Sequence, residues 1–176
     1  MKNISLKAKI LILSVFMVSA SVVVGGISSV YSQKTLNSFH DVVEGDVPAV
    51  QAVNSMLLAY RMARIELLQI IAEGTSSEAD EKSKKNIEEQ WKLFDANNKA
   101  YLDVSTDAPE EEKQIYAEYL KRINIARDIF KQALELYEKS ADESSPERRQ
   151  MIKLVAIDLQ AQNDKVREFT SKLIEL

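Results

Sequence analysis

The sequence predicts an all-α protein, an up-down-up-down antiparallel four-helix bundle preceded by a transmembrane helix continuous with the first helix of the bundle. Three observations support this. Only four glycines and three prolines occur in 176 residues, whereas strands need frequent turns built from those residues. A long uncharged segment lies near the N-terminus, and four apolar stripes with helical spacing follow it.

The uncharged segment is long enough to cross a membrane. Residues 10–30, "ILILSVFMVSASVVVGGISSV", are 21 in number, and about 20 apolar residues span the roughly 30 Å of bilayer hydrocarbon. Lys2, Lys7 and Lys9 precede the segment and no acid does. The positive-inside bias therefore predicts a cytoplasmic N-terminus at 1–9 and an exported domain at 31–176.

A cleaved signal peptide ending near "VSA" at 18–20 is the alternative interpretation of this segment. Both interpretations export the body of the chain. The uncleaved span is favoured because the apolar run continues past the cleavage point as "SVVVGGISSV".

Apolar residues at alternating spacings of three and four predict helices at about 31–73, 78–104, 109–141 and 146–176. Short loops between them make sequential helices antiparallel. The predicted core positions are Leu36, Phe39, Val43, Asp46, Val50, Val53, Leu57, Tyr60, Arg64, Leu67 and Ile71; Ile87, Trp91, Phe94, Asn98 and Tyr101; Tyr116, Tyr119, Ile123, Ala126, Phe130, Ala133 and Tyr137; and Ile152, Val155, Leu159, Gln162, Val166, Phe169, Leu173 and Leu176.

Two local signals refine the helix ends. Ser145 followed by Pro146 predicts an N-cap and first helical position for the fourth helix. Pro48 lies inside the first register and removes one helical hydrogen bond, which predicts a kink near residues 44–48 rather than a break.

The apolar stripe of the fourth helix continues to Leu176. We therefore expect an N-terminal fragment whose next element is a second membrane span.

Charge and composition exclude several function classes. From Asp41 onward the chain carries 19 basic and 27 acidic residues, a net charge of −8, which disfavours a nucleic-acid partner. The sequence has no cysteine, one histidine, no glycine-rich phosphate loop and no G-x-S-x-G turn. We therefore predict no catalytic residues, no metal site, no cofactor and no enzyme activity.

The predicted span and bundle, together with "DVPAV" at 46–50 and "RMARIELL" at 61–68, resemble the sensor part of methyl-accepting chemotaxis proteins. The resemblance is to their four-helix-bundle periplasmic ligand-binding domain and covers all 176 residues. It implies a bacterial inner-membrane receptor whose sensor domain lies in the periplasm or outside the cell. Similar bundles also precede membrane kinases and diguanylate cyclases, and a secreted or singly anchored structural bundle is a further alternative.

The resemblance also implies a homodimer packed through the first helix and its symmetry mate. In the family, small ligands lie between subunits near the membrane-distal end, held by arginines of the first helix, and shift the fourth helix toward the cytoplasm. A periplasmic binding protein is an alternative partner. The stretch "IELLQII" at 65–71 lacks the further arginine that aspartate-type receptors place there, which argues against an amino acid held in their manner.

Arg61 and Arg64 interrupt an otherwise apolar helix and are the candidate ligand-binding residues. In one interpretation they face the dimer seam and bind a small anion, which guanidinium groups contact bidentately. In the other they pair with acids of the same subunit, and the candidate partners are Glu66, Glu88, Asp128 and Asp158. Asn98 and Gln162 also lie in the apolar registers and are predicted to be buried polar residues that fix helix register.

Overall fold

The computed structural model describes residues 6–73, 77–140, 142 and 144–175. It divides into two compact units, Met1–Gly45 and Asp46–Leu176. The helices are α1 (Leu6–Asp41), α2 (Val47–Glu73), α3 (Ser77–Val104), α4 (Glu110–Lys139), α5 (Pro146–Lys153) and α6 (Gln160–Glu175), with π-helical turns at Val42–Asp46 and Leu154–Leu159. The all-α prediction is confirmed for the described residues.

The first unit consists of α1 and the start of the first π-helical turn. Residues 10–30, predicted as the span, lie within α1, whereas residues 1–5 of the predicted cytoplasmic segment lie outside the described part of the chain. Among the described residues, no helix is both long enough and apolar enough to cross a membrane.

The π-helical turn Val42–Asp46 ends two residues before Pro48 and overlaps the range predicted to kink, residues 44–48. Pro48 has no N–H for the carbonyl of residue 44, and its ring crowds that carbonyl. A wider turn relieves this crowding while the chain remains helical.

The second unit is a helical bundle of four runs: α2, α3, α4, and the fourth helical run, which comprises α5, the second π-helical turn and α6. Side-chain hydrogen bonds between α3 and α4 show that neighbouring runs are antiparallel. Near one end Asp80 of α3 accepts from Tyr137 of α4, and near the other Glu112 of α4 accepts from Tyr101 at 2.6 Å. Asn86 of α3 likewise donates to Glu66 of α2 at 3.0 Å.

The bundle core follows the predicted stripes closely over α2, α3 and α4. The first predicted stripe was wrong before α2, because Leu36 and Phe39 are each 66% exposed, Val43 is 47% exposed and Asp46 is exposed as well. All seven positions predicted for the third helix are buried, as are Val53, Leu57, Tyr60 and Leu67 of α2. The fourth run departs from prediction, because Met151 is buried while Ile152 is 45% exposed. Asn163 and Thr170 are buried, whereas Gln162 and Phe169 are only half-buried.

The N-terminus of the fourth run is capped as predicted. The Ser145 side chain accepts a hydrogen bond from the backbone N–H of Arg148 at 3.2 Å, and Pro146 is the first helical residue. Arg148 itself is buried, donates to the carbonyl of Ile71 and lies 5.3 Å from the centre of the Tyr137 ring. An Arg148 N–H thus satisfies a carbonyl in the last turn of α2. The positive charge of Arg148 is also favourable there, because the C-terminal end of a helix is partly negative.

Buried tyrosines make the stability of the bundle sensitive to alkaline pH. Burial raises the pKa of Tyr60 to about 12, and burial also raises the pKa of Tyr101, Tyr116 and Tyr119. Above pH 10 an unfolded phenol loses its proton while these retain theirs, so the unfolded state binds fewer protons. The contribution of these tyrosines to the free energy of unfolding is therefore fully present below pH 10 and is lost as the pH rises through their folded pKa values.

Tyr119→Phe is expected to leave the free energy of unfolding at pH 7 unchanged or to raise it by up to about 1 kcal/mol. The Tyr119 hydroxyl is buried and has no hydrogen-bond partner among the described residues, so its removal deletes only a desolvation cost. The variant is also expected to lose less stability between pH 10 and 12. Urea unfolding of the wild type and the variant at pH 7, 10 and 12 measures these effects.

Tyr116→Phe is the matched control, because the Tyr116 hydroxyl donates to Asn98. Tyr116→Phe removes the donor to the half-buried Asn98 amide oxygen, and it is expected to lower the free energy of unfolding by about 1 kcal/mol. A larger loss for Tyr119→Phe than for Tyr116→Phe would contradict this account of the core.

Candidate functional site

A cleft between α2 and α6 brings together three arginines. It has a volume of about 270 Å³ and is lined by Arg61, Arg64, Ile65, Leu68, Asn163 and Arg167. Both arginines singled out by the sequence therefore border one concave surface. None of the six lining residues is acidic, and the acid nearest to them along the fourth run is Asp164.

Helical spacing places the two α2 arginines side by side. Arg64 follows buried Tyr60 by four residues and precedes buried Leu67 by three, which holds it half-buried at the edge of the core. Arg61 lies one turn earlier on the same surface and is exposed. Tyr60 and Arg64 are electrostatically coupled, since the guanidinium opposes the effect of burial on the Tyr60 pKa.

The fourth run supplies the other wall through Gln160, Asn163 and Arg167, which recur at spacings of three and four on one face of α6. Asn163 is 5% exposed, while Arg167 is exposed at the mouth of the cleft. No ion pair involves Arg167 within the part of the chain that the structure describes. The neighbouring acid Glu168 is instead bonded to Lys165 and Lys172, which lower its pKa to about 2.

The partner of Arg64 is a neutral amide rather than a carboxylate. Its Nη2 donates to Oε1 of Gln160 at 2.5 Å, and Gln160 Nε2 donates in turn to Asp164 at 2.9 Å. Of the acids considered as partners, Glu88, Asp128 and Asp158 are exposed and form no ion pair with Arg64 among the described residues, and Glu66 accepts from Asn86. Equal height along a bundle does not make two side chains face each other.

The bond to Gln160 orients Arg64 without neutralising it. The guanidinium keeps its full charge, and its Nε is buried with no partner among the described residues. A buried N–H without an acceptor carries a desolvation cost that an added acceptor removes. Anions that present two acceptor oxygens side by side, such as carboxylates and sulfate, fit this donor geometry.

The lining residues suit binding rather than catalysis. An arginine does not give up its proton at neutral pH, and an asparagine amide is neither acid nor base there. Isoleucine and leucine add only apolar contact. Recognition of a small anion is therefore the chemistry that this set of side chains supplies.

The two predicted polar core residues have different surroundings. Asn98 is half-buried and accepts a hydrogen bond from Tyr116 of α4, so it joins two helices as a register-fixing residue does. Gln162 is half-buried, and its Oε1 has no partner in the described part of the chain. Neither lines the arginine cleft.

Sequence reasoning missed Gln160, Asn163 and Arg167. Their regular spacing on one helix face was visible in the sequence and could have identified a polar face on the fourth helix. That face could be matched to Arg61 and Arg64 only once the phase of the fourth run was known.

Comparison with known proteins agrees with this architecture. The model of the Tar ligand binding domain homologue family (TarH) matches residues 1–173. No curated protein and no solved structure matches the chain significantly. TarH is a family of receptor ligand-binding domains and not a family of enzymes. The helical bundle and a family match over nearly the whole chain lead to the same conclusion: the chain belongs to the Tar ligand-binding-domain family and is an extracytoplasmic sensor domain of a bacterial chemotaxis receptor.

Proposed function

We propose that the arginine cleft binds a small carboxylate or a similar oxyanion, and that this binding is the event the receptor senses. The observation that carries the proposal is the convergence of Arg61, Arg64 and Arg167 on one cleft without an acidic lining residue. Arg64 is already oriented by Gln160, so little side-chain entropy is lost when an anion binds.

A second copy of the chain completes this site. An exposed apolar stripe on α2 consists of Leu58, Met62, Ile65 and Leu68, which are 60%, 38%, 47% and 40% exposed. Ile65 and Leu68 also line the cleft, so a partner helix packed on the stripe would cover the bound anion. Pairing of α2 with its symmetry mate therefore buries apolar surface and closes the cleft in one step.

Residues 10–30 anchor the domain in the bacterial inner membrane in this proposal. They carry no charge, and Val22, Val23, Val24, Ile27 and Val30 of α1 are each more than half exposed. A continuous apolar helix surface of this kind suits contact with lipid. Mass spectrometry of membrane-extracted protein tests the anchor, because an intact Met1 excludes signal cleavage.

Anion binding would be transmitted by displacement of the fourth helical run. Gln160, Asn163 and Arg167 all lie on that run, so an anion held between them and α2 changes the contacts between the two helices. The π-helical turn Leu154–Leu159 adjoins Gln160, and such turns frequently accompany functional sites. Shifts of an ångström or two between packed helices are a known means of signalling.

Loss of Arg61 or Arg64 is expected to abolish stabilisation by an anion. The full chain in lipid nanodiscs is screened with dicarboxylates, amino acids, sulfate and phosphate, and melting is followed by tryptophan fluorescence. A ligand at about 100 times its Kd stabilises by about 2.7 kcal/mol, which raises the Tm of a domain of this size by about 5–10 °C. Arg61→Ala is expected to reduce that shift to below about 2 °C.

Arg149→Ala is the matched control, because Arg149 is exposed on the fourth run and does not line the cleft. It should retain the full shift. A ligand whose effect survives both Arg61→Ala and Arg64→Ala would place sensing elsewhere. If no small molecule shifts the wild type, a periplasmic binding protein becomes the expected partner.

Charge on the α2 stripe is expected to prevent dimerisation. Ile65→Glu places a carboxylate at the centre of the proposed interface, where two copies would bring like charges together. Sedimentation equilibrium of the nanodisc-free, detergent-solubilised chain is expected to show at least a tenfold weaker dimer. Leu93→Glu on α3 is the control, since Leu93 is 52% exposed but lies on another helix; equal effects of both substitutions would reject the α2 interface.

The output attached to this sensor is tested by the reading frame beyond Leu176. The proposal expects a second span and a long heptad-rich cytoplasmic region. A kinase or diguanylate cyclase domain would keep the sensing role and change the output. A stop codon shortly after Leu176 would favour a structural bundle protein instead.

A further inference from the structure

A second cavity lies between α3 and α4. It has a volume of about 330 Å³ and shares no lining residue with the arginine cleft. Its lining residues are Ile87, Glu88, Trp91, Arg127, Phe130, Lys131 and Leu134. Sites for small molecules occupy roughly 300–1,000 Å³, so this cavity is suited to a ligand at the small end of that range.

The floor of this cavity is aromatic and apolar. The rings of Trp91 and Phe130 meet edge to face, with centroids 5.3 Å apart and planes inclined at 78°. Phe130 and Ile87 are almost completely buried, whereas Trp91 and Leu134 are half-buried and face the opening. Such a floor leaves an indole edge and a leucine side chain available for contact with an inserted ring.

The rim of the cavity carries charged side chains of both signs. Arg127 and Lys131 stand one helical turn apart on α4, and Glu88 stands on α3. Arg127 is fixed in place, because it is paired with Asp95 and its guanidinium lies 4.5 Å from the centre of the Trp91 ring. Its Nε is buried and has no acceptor in the described part of the chain.

Lys131 is the mobile cation of the rim. It is exposed and takes part in no ion pair among residues 6–73, 77–140, 142 and 144–175. Its ammonium group can therefore meet a negative charge on a ligand without first breaking an internal pair. Because Asp95 balances the charge of Arg127, Lys131 and Glu88 are the remaining charged side chains at the rim.

We propose that this cavity binds a small aromatic monocarboxylate. Its ring would insert between Leu134 and Trp91 onto the aromatic floor, and its carboxylate would lie at the rim beside Lys131 and Arg127. The apolar floor and the ammonium group of Lys131 together match an anion with one hydrophobic end. The site is independent of the arginine cleft, and it would give one sensor domain two ligand classes.

Occupancy of the cavity would also reach the first helix of the bundle. The Trp91 ring lies 6.1 Å from the Tyr60 ring, centroid to centroid. Tyr60 precedes Arg64 by one turn of α2 and interacts with it electrostatically. A ligand that displaces Trp91 would therefore alter the packing of α2 beside the arginine cleft.

The single tryptophan of the chain provides a direct readout of this site. Trp91 emission is recorded while the full chain in nanodiscs is titrated with benzoate, and empty nanodiscs correct for partitioning into lipid. We expect a saturable change in intensity or wavelength with benzoate. Acetate, which lacks the ring, and benzylamine, which has the opposite charge, should bind at least ten times more weakly.

Charge variants of exposed rim residues test the proposed orientation. Lys131→Gln should weaken benzoate binding about three- to fivefold, the size of a solvent-exposed charge interaction. Glu88→Gln should tighten it by a similar factor because the rim then becomes more positive. Lys113→Gln removes an exposed lysine from the same helix outside the cavity and should leave affinity unchanged.

The inference is overturned if benzoate gives no saturable change in Trp91 emission, if benzylamine binds more tightly than benzoate, or if Lys131→Gln behaves like Lys113→Gln. Arg61→Ala separates this site from the proposed anion sensor. Benzoate binding reported by Trp91 should survive that substitution, while anion binding at the arginine cleft should not. Equal loss of both would assign the benzoate signal to the arginine cleft.

Discussion

The hydrogen bond from Arg64 to Gln160 determines how the first and fourth helical runs of the bundle are joined. A guanidinium at the edge of an apolar stripe needs an acceptor, and the only choices are a carboxylate or a neutral oxygen. A carboxylate would cancel the charge and leave Arg61 and Arg167 around a nearly neutral centre. Gln160 satisfies one N–H and preserves the charge, so the cleft remains suited to an anion.

A column of aromatic rings gives this cleft a firm support. Stacked contacts run from Tyr101 through Tyr116 and Tyr119 to Phe94, and tilted contacts continue through Trp91 to Tyr60. These side chains come from α2, α3 and α4 and have few rotatable bonds, so they hold the three helices at fixed spacing. Large rings also account for the cavity between α3 and α4, since flat edges leave gaps that aliphatic side chains would fill.

Much of this fold follows from the sequence because helical stripes translate directly into buried faces. All predicted positions of α4 are buried, and the arginine pair inside an apolar stripe, Arg61 and Arg64, lines a cleft. The fourth run could not be phased in the same way. Its buried residues Met151, Val155, Leu159 and Asn163 recur every four residues, a wider spacing that accompanies the π-helical turn, whereas a steady alternation of three and four led to Ile152 and Gln162.

Arginine partners were beyond prediction for a related reason. Residue numbers fix the height of a side chain along the bundle, but the direction of that side chain depends on the helix phase. Glu88 and Asp158 were considered because of their expected level, but both are exposed and the partner of Arg64 is Gln160. Gln160, which accepts a hydrogen bond from Arg64, directly follows the π-helical turn. Such a turn adds a residue to the helical repeat and so changes which side chains of the following helix face α2.

A double-mutant cycle between Arg64 and Gln160 tests the central claim most directly. The free energies of unfolding of wild type, Arg64→Met, Gln160→Leu and the double variant are measured by urea denaturation. Our account predicts a coupling energy of about 1–2 kcal/mol, as expected for a part-buried hydrogen bond to a charged donor. Additive effects, within about 0.3 kcal/mol, would mean that this bond does not join the two helices and would contradict the account.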